Sequence, residues 1–153
     1  MNYEEISIKF PKTFEVFKQW AIKTVALDMS ENGGVTFDNH NFSVNNDSYD
    51  VEIQVRELYD FFDELRVYIL LKMFDAGEFY YEIHTNENWQ DDAGGGPFGE
   101  KGNHLVEGVV ETENAFDNRI DAEKEAFYKA FEYIEANFGQ LEKYVLPTLK
   151  LTV

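Results

Sequence analysis

The chain has no cysteine, so neither a disulfide framework nor a thiolate metal site is available, and a cysteine nucleophile is excluded. It also lacks any apolar run near the roughly 18 residues that a membrane-spanning helix needs. The opening residues Met1-Asn2-Tyr3-Glu4-Glu5 have no basic segment followed by an apolar one. A soluble, unexported, cytoplasmic chain without membrane contact is therefore expected. Bases are scarce: 13 Lys and Arg face 30 Asp and Glu, for a formal net charge of −17. Residues 1–30 are neutral, since Glu4, Glu5, Glu15 and Asp28 balance Lys9, Lys12, Lys18 and Lys23, so the whole deficit lies in 31–153. Such a surface repels phosphate backbones, and direct nucleic-acid binding is not expected.

Motifs for catalysis and cofactors are missing too. The glycine-rich stretch Gly94 to Gly102 invites comparison with a phosphate-binding loop, but Gly99 is followed by Glu100-Lys101-Gly102 and preceded by Asp91 and Asp92. A Walker loop needs Gly-Lys-Ser/Thr there and a strand leading in. Asn45-Asn46-Asp47, Asp50 and Asn86 to Asp92 are oxygen-rich without the alternating spacing of a calcium loop, and turn chemistry accounts for them. His40, His84 and His104 are far apart, with no His-Glu-x-x-His pair for zinc. No serine nucleophile elbow occurs. Asp60, Asp63 and Glu64 form the nearest carboxylate set for acid–base work, yet they read as solvated side chains. The sequence thus assigns no catalytic residue, metal or cofactor, and a non-enzymatic role is favoured.

What is present is enough for one α+β domain over residues 1–153: 44% of the residues are hydrophobic and 16% aromatic, ample for a core. The strongest periodic signal is Asn118 to Phe138, where Phe127, Phe131, Ile134 and Phe138 recur at helical steps, with Ile120 one heptad ahead. Asp117 or Asn118 is the expected cap and Gly139 the expected stop. Its partner is Val67 to Thr85, read as a β-hairpin turning at Asp75-Ala76-Gly77, with a positive φ at Gly77. In that register Val67, Ile69, Leu71 and Met73 oppose Thr85, Ile83, Tyr81 and Phe79 on one apolar face. Tyr68, Leu70, Lys72 and Phe74 meet His84, Glu82, Tyr80 and Glu78 on a mixed second face.

Elsewhere the patterns are shorter. Ile6, Ile8 and Phe10 alternate as in a short strand or an extended arm. Lys12 to about Asp28, after Pro11, carries a helical stripe of Phe14, Phe17, Ala21 and Val25, widened by Val16 and Trp20. This N-terminal helix is the available cover for the hairpin's second face or an edge; without it that face becomes a partner site. Val35, Phe37, Phe42 and Val44 suggest a small hairpin or an irregular excursion. Val51, Ile53 and Val55 lead as a strand into a helix through Leu58, Phe62 and Leu65, with one continuous helix from Ser48 as the alternative. Asn86 to Asn103 reads as a long loop, Leu105 to Thr112 as a strand with a bulge at Gly108, Leu141 to Leu146 as a helical turn, and Leu149, Leu151 and Val153 as a terminal strand. The expected architecture is an antiparallel sheet of three to five strands packed against the long C-terminal helix.

Two resemblances bear on function. The order helix, three strands, helix across residues 55 to 138 resembles the layout of double-stranded-RNA-binding domains. The last helix of those domains opens with a basic phosphate-gripping cluster, where this chain has Asn118-Arg119-Ile120-Asp121-Ala122-Glu123-Lys124, so the resemblance carries no expectation of RNA. In texture, Arg56 to Glu64 (RELYDFFDE), Gly77 to Ile83 (GEFYYEI) and Asp121 to Glu135 (DAEKEAFYKAFEYIE) resemble small acidic accessory proteins of bacterial phages and prophages, over about half the chain. That resemblance implies a setting rather than an activity. The expected function is an acidic protein-interaction module for a partner with a basic groove, nucleic-acid mimicry being its sharper form. Asp60, Asp63, Glu64, Glu82, Asp91 and Asp92 are the candidate interaction residues. The alternative is a small-ligand or enzymatic domain using loop 86–103, which requires a concave pocket beneath that loop.

Overall fold

A computed structural model describes residues 1–25, 34–45, 49–74, 77–86, 102–104 and 116–151. The hairpin takes the register read from its sequence: β4 (Val67–Phe74) and β5 (Glu78–Asn86) pair antiparallel, with Val67 opposite Thr85, Ile69 opposite Ile83 and Met73 opposite Phe79. Gly77 has φ 98°, in the region where a side chain would be strained. The short strand β6 (Gly102–His104) adds to the β5 edge, so Asn86, Gly102 and Asn103 belong to strands rather than to the long loop expected there. The strand expected at Leu105 to Thr112 lies outside the described residues.

Long helix α4 (Arg119–Ala136) lies on the apolar face of the hairpin, as its stripe demands. Phe127, Phe131 and Ile134 are fully buried, together with the small residues Ala122, Ala126 and Ala130, which let strand and helix approach closely. Asn118 caps the helix, its Oδ1 accepting from the Asp121 amide at 2.9 Å. Ile120, expected to extend the stripe, is instead 62% exposed. It sits in the first turn, ahead of the level at which Tyr59 meets Glu123 and Phe127. The helix stops at Asn137 and Gly139 falls inside the next helix, α5 (Phe138–Tyr144), rather than marking the stop.

The segment from Asp50 to Leu65 is a strand followed by a helix. β3 (Asp50–Glu52) excludes a continuous helix, and α3 (Val55–Glu64) starts with Gln54 and Glu57 bonding reciprocally, the Gln54 amide donating to Glu57 Oε2 at 2.6 Å. Leu58, Phe61, Phe62 and Leu65 are sealed while Val55, at the first position, is exposed. β3 joins β1 (Gly34–Phe37) and β2 (Phe42–Asn45) in a second antiparallel sheet, so the strands divide between two sheets of three.

The N-terminus departs most from its pattern. Ile6, Ile8 and Phe10 do not form a strand; α1 (Tyr3–Lys9) is a helix capped by Asn2, whose Oδ1 accepts from the Glu5 amide at 3.0 Å. Tyr3, Ile6 and Phe10, at steps of three and four, are the buried stripe, and Ile8 is 78% exposed. α2 (Pro11–Val25) follows at once, with proline in its first turn. Its free amides are met from α4: Lys12 and Thr13 donate to the Glu135 carboxylate at 3.3 and 2.8 Å, and the buried Thr13 hydroxyl adds a bond of 2.7 Å. α2 is seated on α4, α3 and the β1–β2 sheet rather than across the hairpin's second face. Phe17 is its hub, with ring centroids 4.6 Å from Phe42, 5.1 Å from Phe61 and 6.1 Å from Phe131.

The C-terminal pattern also resolves as helix. α6 (Leu146–Leu149), with Pro147 in its first turn, ends at Lys150 in the left-handed region, whose amide turns back to the Leu146 and Pro147 carbonyls. Leu151 is buried, but by the closing helix and not in a terminal strand. Among the described residues no helix is long and apolar enough to cross a membrane.

Candidate functional site

The three acids on α3 stand apart from the other candidates. Asp60, Asp63 and Glu64 are exposed on the side of the helix opposite Leu58, Phe61 and Phe62, and none of their carboxylates has an ion-pair or hydrogen-bond partner among the described residues. Asp63 lies close enough over the surface to lose part of its hydration, and that loss, together with the Asp60 charge, raises its pKa. The last turn of α3 holds no basic residue.

Glu82 is different in kind. Only 13% of its side chain is exposed, with Oε1 2.9 Å from Lys72 Nζ and Oε2 3.0 Å from His84 Nε2. Partial burial opposes its charge, but the bonds from Lys72 and His84 outweigh that and hold its pKa below the usual value. It anchors the hairpin's second face, where Tyr68, Leu70, Lys72, Tyr80 and His84 are also half-buried. Its partners come from the hairpin itself, so Glu82 and the α3 acids do not share a contact network. Asp91 and Asp92 lie outside the described residues, as does loop 87–101 with the small-ligand site imagined beneath it.

Sequence reasoning did not find one concave region of the described surface. A pocket of about 460 Å³ opens where α1 and the β1–β2 turn meet the first half of α4. Glu5 and Ile6 line it from α1, His40 from the turn, and Asp121, Lys124, Glu125 and Tyr128 from α4. The turn is set by Asp38, whose Oδ1 accepts from the His40 and Asn41 amides at 2.8 Å each, bonds that lower the Asp38 pKa. At the rim, Lys9 Nζ donates to Glu5 Oε1 at 2.6 Å and to the Tyr128 hydroxyl at 3.2 Å. Behind Glu125 the Tyr81 hydroxyl is buried, with no well-aligned hydrogen-bond partner among the described residues, and burial, then the charge and proximity of the Glu125 carboxylate, push its pKa up. These residues come from three distant stretches, and no spacing in the sequence signals their meeting.

Among the described residues no group of three His, Asp or Glu side chains is arranged to hold a metal ion. No family model, curated protein or solved structure matches the chain.

Proposed function

We propose that this chain is an acidic, non-enzymatic protein-interaction module whose partner carries a basic surface, and that α3 is the element that meets it. The observation carrying this reading is the position of the acids. Asp63 and Glu64 occupy the last turn of α3, the negative end of the helix dipole, where cations are favoured. Asp60 lies three and four residues before them, adding like-charge repulsion along one face. With no counter-ion among the described residues, this placement weakens the helix locally. Solubility alone would be served by acids at any exposed position. A basic partner supplies the missing counter-charge and is drawn in by the −17 field. A groove that ordinarily holds a nucleic acid meets that requirement, which makes nucleic-acid mimicry the sharper form of the proposal. A phage-type accessory protein acting in the cytoplasm on a basic host protein is the setting that fits.

The test uses the full chain and the triple variant Asp60→Asn, Asp63→Asn, Glu64→Gln as paired baits at low salt. The expected result is a basic nucleic-acid-binding protein retained by the parent chain, lost from the variant, released as salt rises and displaced by DNA or RNA. Equal retention by both baits, or retention indifferent to salt, would remove the support for α3 as the contact surface.

A further inference from the structure

We propose that the hairpin's second face binds a divalent transition-metal ion of the zinc class, held by His84 and Glu82 of β5 and His104 of β6. The histidines are far apart in sequence, but the fold brings two of them to one row of the sheet. His84 and His104 are direct partners in the antiparallel β5–β6 ladder. Direct partners share a face, with Cβ atoms about 4.5–5.5 Å apart. That face is the one turned away from α4, because Tyr81 and Ile83, which alternate with Glu82 and His84, are fully buried on the α4 side. Glu82, two residues before His84, is diagonal to His104 on the same face.

The geometry at Glu82 suits a metal ion as well as a proton. Its Oε2 stands 3.0 Å from His84 Nε2. Two ligand atoms each about 2.0–2.2 Å from one zinc ion, at a near-tetrahedral angle, stand about 3–3.5 Å apart, so the pair admits the ion with little movement. The imidazole then carries its proton on Nδ1. Lys72 Nζ stays on the other oxygen, Oε1, at 2.9 Å, and orients the carboxylate from outside the site. The His84 and Glu82 side chains are each only 13% exposed, so bulk water competes weakly for the ion at this corner. Two imidazoles with one carboxylate also select the metal. Calcium and magnesium demand an oxygen shell that this set does not supply, whereas imidazole suits zinc, nickel and copper. The cation is drawn in by the chain's −17 charge, and once bound it clips the short strand β6 to β5. The inference is independent of the acidic face of α3, since none of the three ligands lies on that helix.

Zinc titration of the tag-free, chelator-treated full chain near neutral pH, followed by calorimetry and by nitrogen NMR of the histidine rings, tests it. The expected result is one ion per chain with a Kd of about 10 μM or tighter. The ring nitrogens of His84 and His104 should shift together while those of His40 stay in place. His84→Ala and His104→Ala should each weaken binding at least about tenfold, and Glu82→Gln by a comparable factor. His40→Ala, on the β1–β2 turn, should leave it unchanged. The ring spectra need no variant, so the test stands even where a substitution disturbs the fold. The proposal is overturned if binding does not saturate by about 1 mM zinc, if the His104 ring does not respond, if His40 shifts with the others, or if Glu82→Gln binds as tightly as the parent. Zinc binding that survives both His84→Ala and His104→Ala would assign the ion to surface carboxylates and overturn it equally.

Discussion

The two sides of α3 use the same ten-residue helix in opposite ways. On one side Leu58, Phe61 and Phe62 are sealed, with the Phe62 ring 5.1 Å from Phe61, 5.8 Å from Phe127 and 5.2 Å from Phe131. On the other, Asp60, Asp63 and Glu64 are exposed, with no ion-pair partner among the described residues. The helix is therefore held by what it buries and not by its own electrostatics. Glu82 marks a third condition, a half-buried carboxylate that two partners have made part of the fold. Acids in this chain thus divide into those the structure uses and those it leaves for something else.

The sharpest way to break the comparison is at the buried side. Phe62→Ala removes a ring from the junction of α3 and α4 and should lower stability by about 3–5 kcal/mol, because the surrounding rings collapse only in part. Urea unfolding followed by circular dichroism measures it. A loss under about 1 kcal/mol would mean that the ring cluster is not what fixes α3, and the contrast between its sides would lose its basis.

Part of this contrast was legible in the sequence, and the reasons are physical. The hairpin register followed from the glycine at the turn, which leaves Val67, Ile69, Tyr81 and Ile83 on one face, and a one-residue slip would have sent Tyr81 and Ile83 to the wrong one. The stripe of α4 was long enough to exclude a strand. Three apolar residues were too few at the N-terminus: Ile6, Ile8 and Phe10 fit period two, and only Tyr3 with the Asn2 cap reveals the helical spacing. At the C-terminus Leu149 and Leu151 alternate, but Pro147 and the left-handed Lys150 close a helix instead. The exposure of Asp60, Asp63 and Glu64 could be read from their places opposite the Leu58–Phe62 stripe, but not the partial loss of hydration at Asp63. The fate of Glu82 was harder to see, because Leu70 is its direct cross-strand neighbour and Lys72 reaches it only on the diagonal. The pocket between α1 and α4 had no signature at all, being assembled from residues whose sequence neighbours say nothing about one another.

Glu82→Gln tests the middle case. It removes the charge that Lys72 and His84 share, and a loss of about 1 kcal/mol is expected at neutral pH, between a surface pair and a buried hydrogen-bonded one. The pH dependence has a definite sign. The folded pKa of Glu82 is lowered, so its contribution is present above the unfolded value of 4.5 and fades as pH falls through the folded one. Parent and variant unfolding curves should therefore converge in acid. A gap that persists below that window would mean the pair is not the source of the difference.

Asp63→Asn carries the smallest effect and the opposite sign. The folded pKa of Asp63 is raised, by partial loss of hydration and then by Asp60, so folding favours its protonated form. Its contribution falls as pH rises from the unfolded value of 3.8 through the raised one, leaving a constant deficit at neutral pH. Removing the charge also relieves the negative end of the α3 dipole. The variant should be more stable than the parent by a few tenths of a kcal/mol, up to about 0.5, at pH 7 and indistinguishable from it in acid. Differential unfolding at the two pH values reads this out, with Glu82→Gln as the opposing control. If Asp63→Asn is instead destabilising at pH 7, the carboxylate has a structural partner. Its position is then not kept for an external counter-charge, while the fold it sits on is untouched.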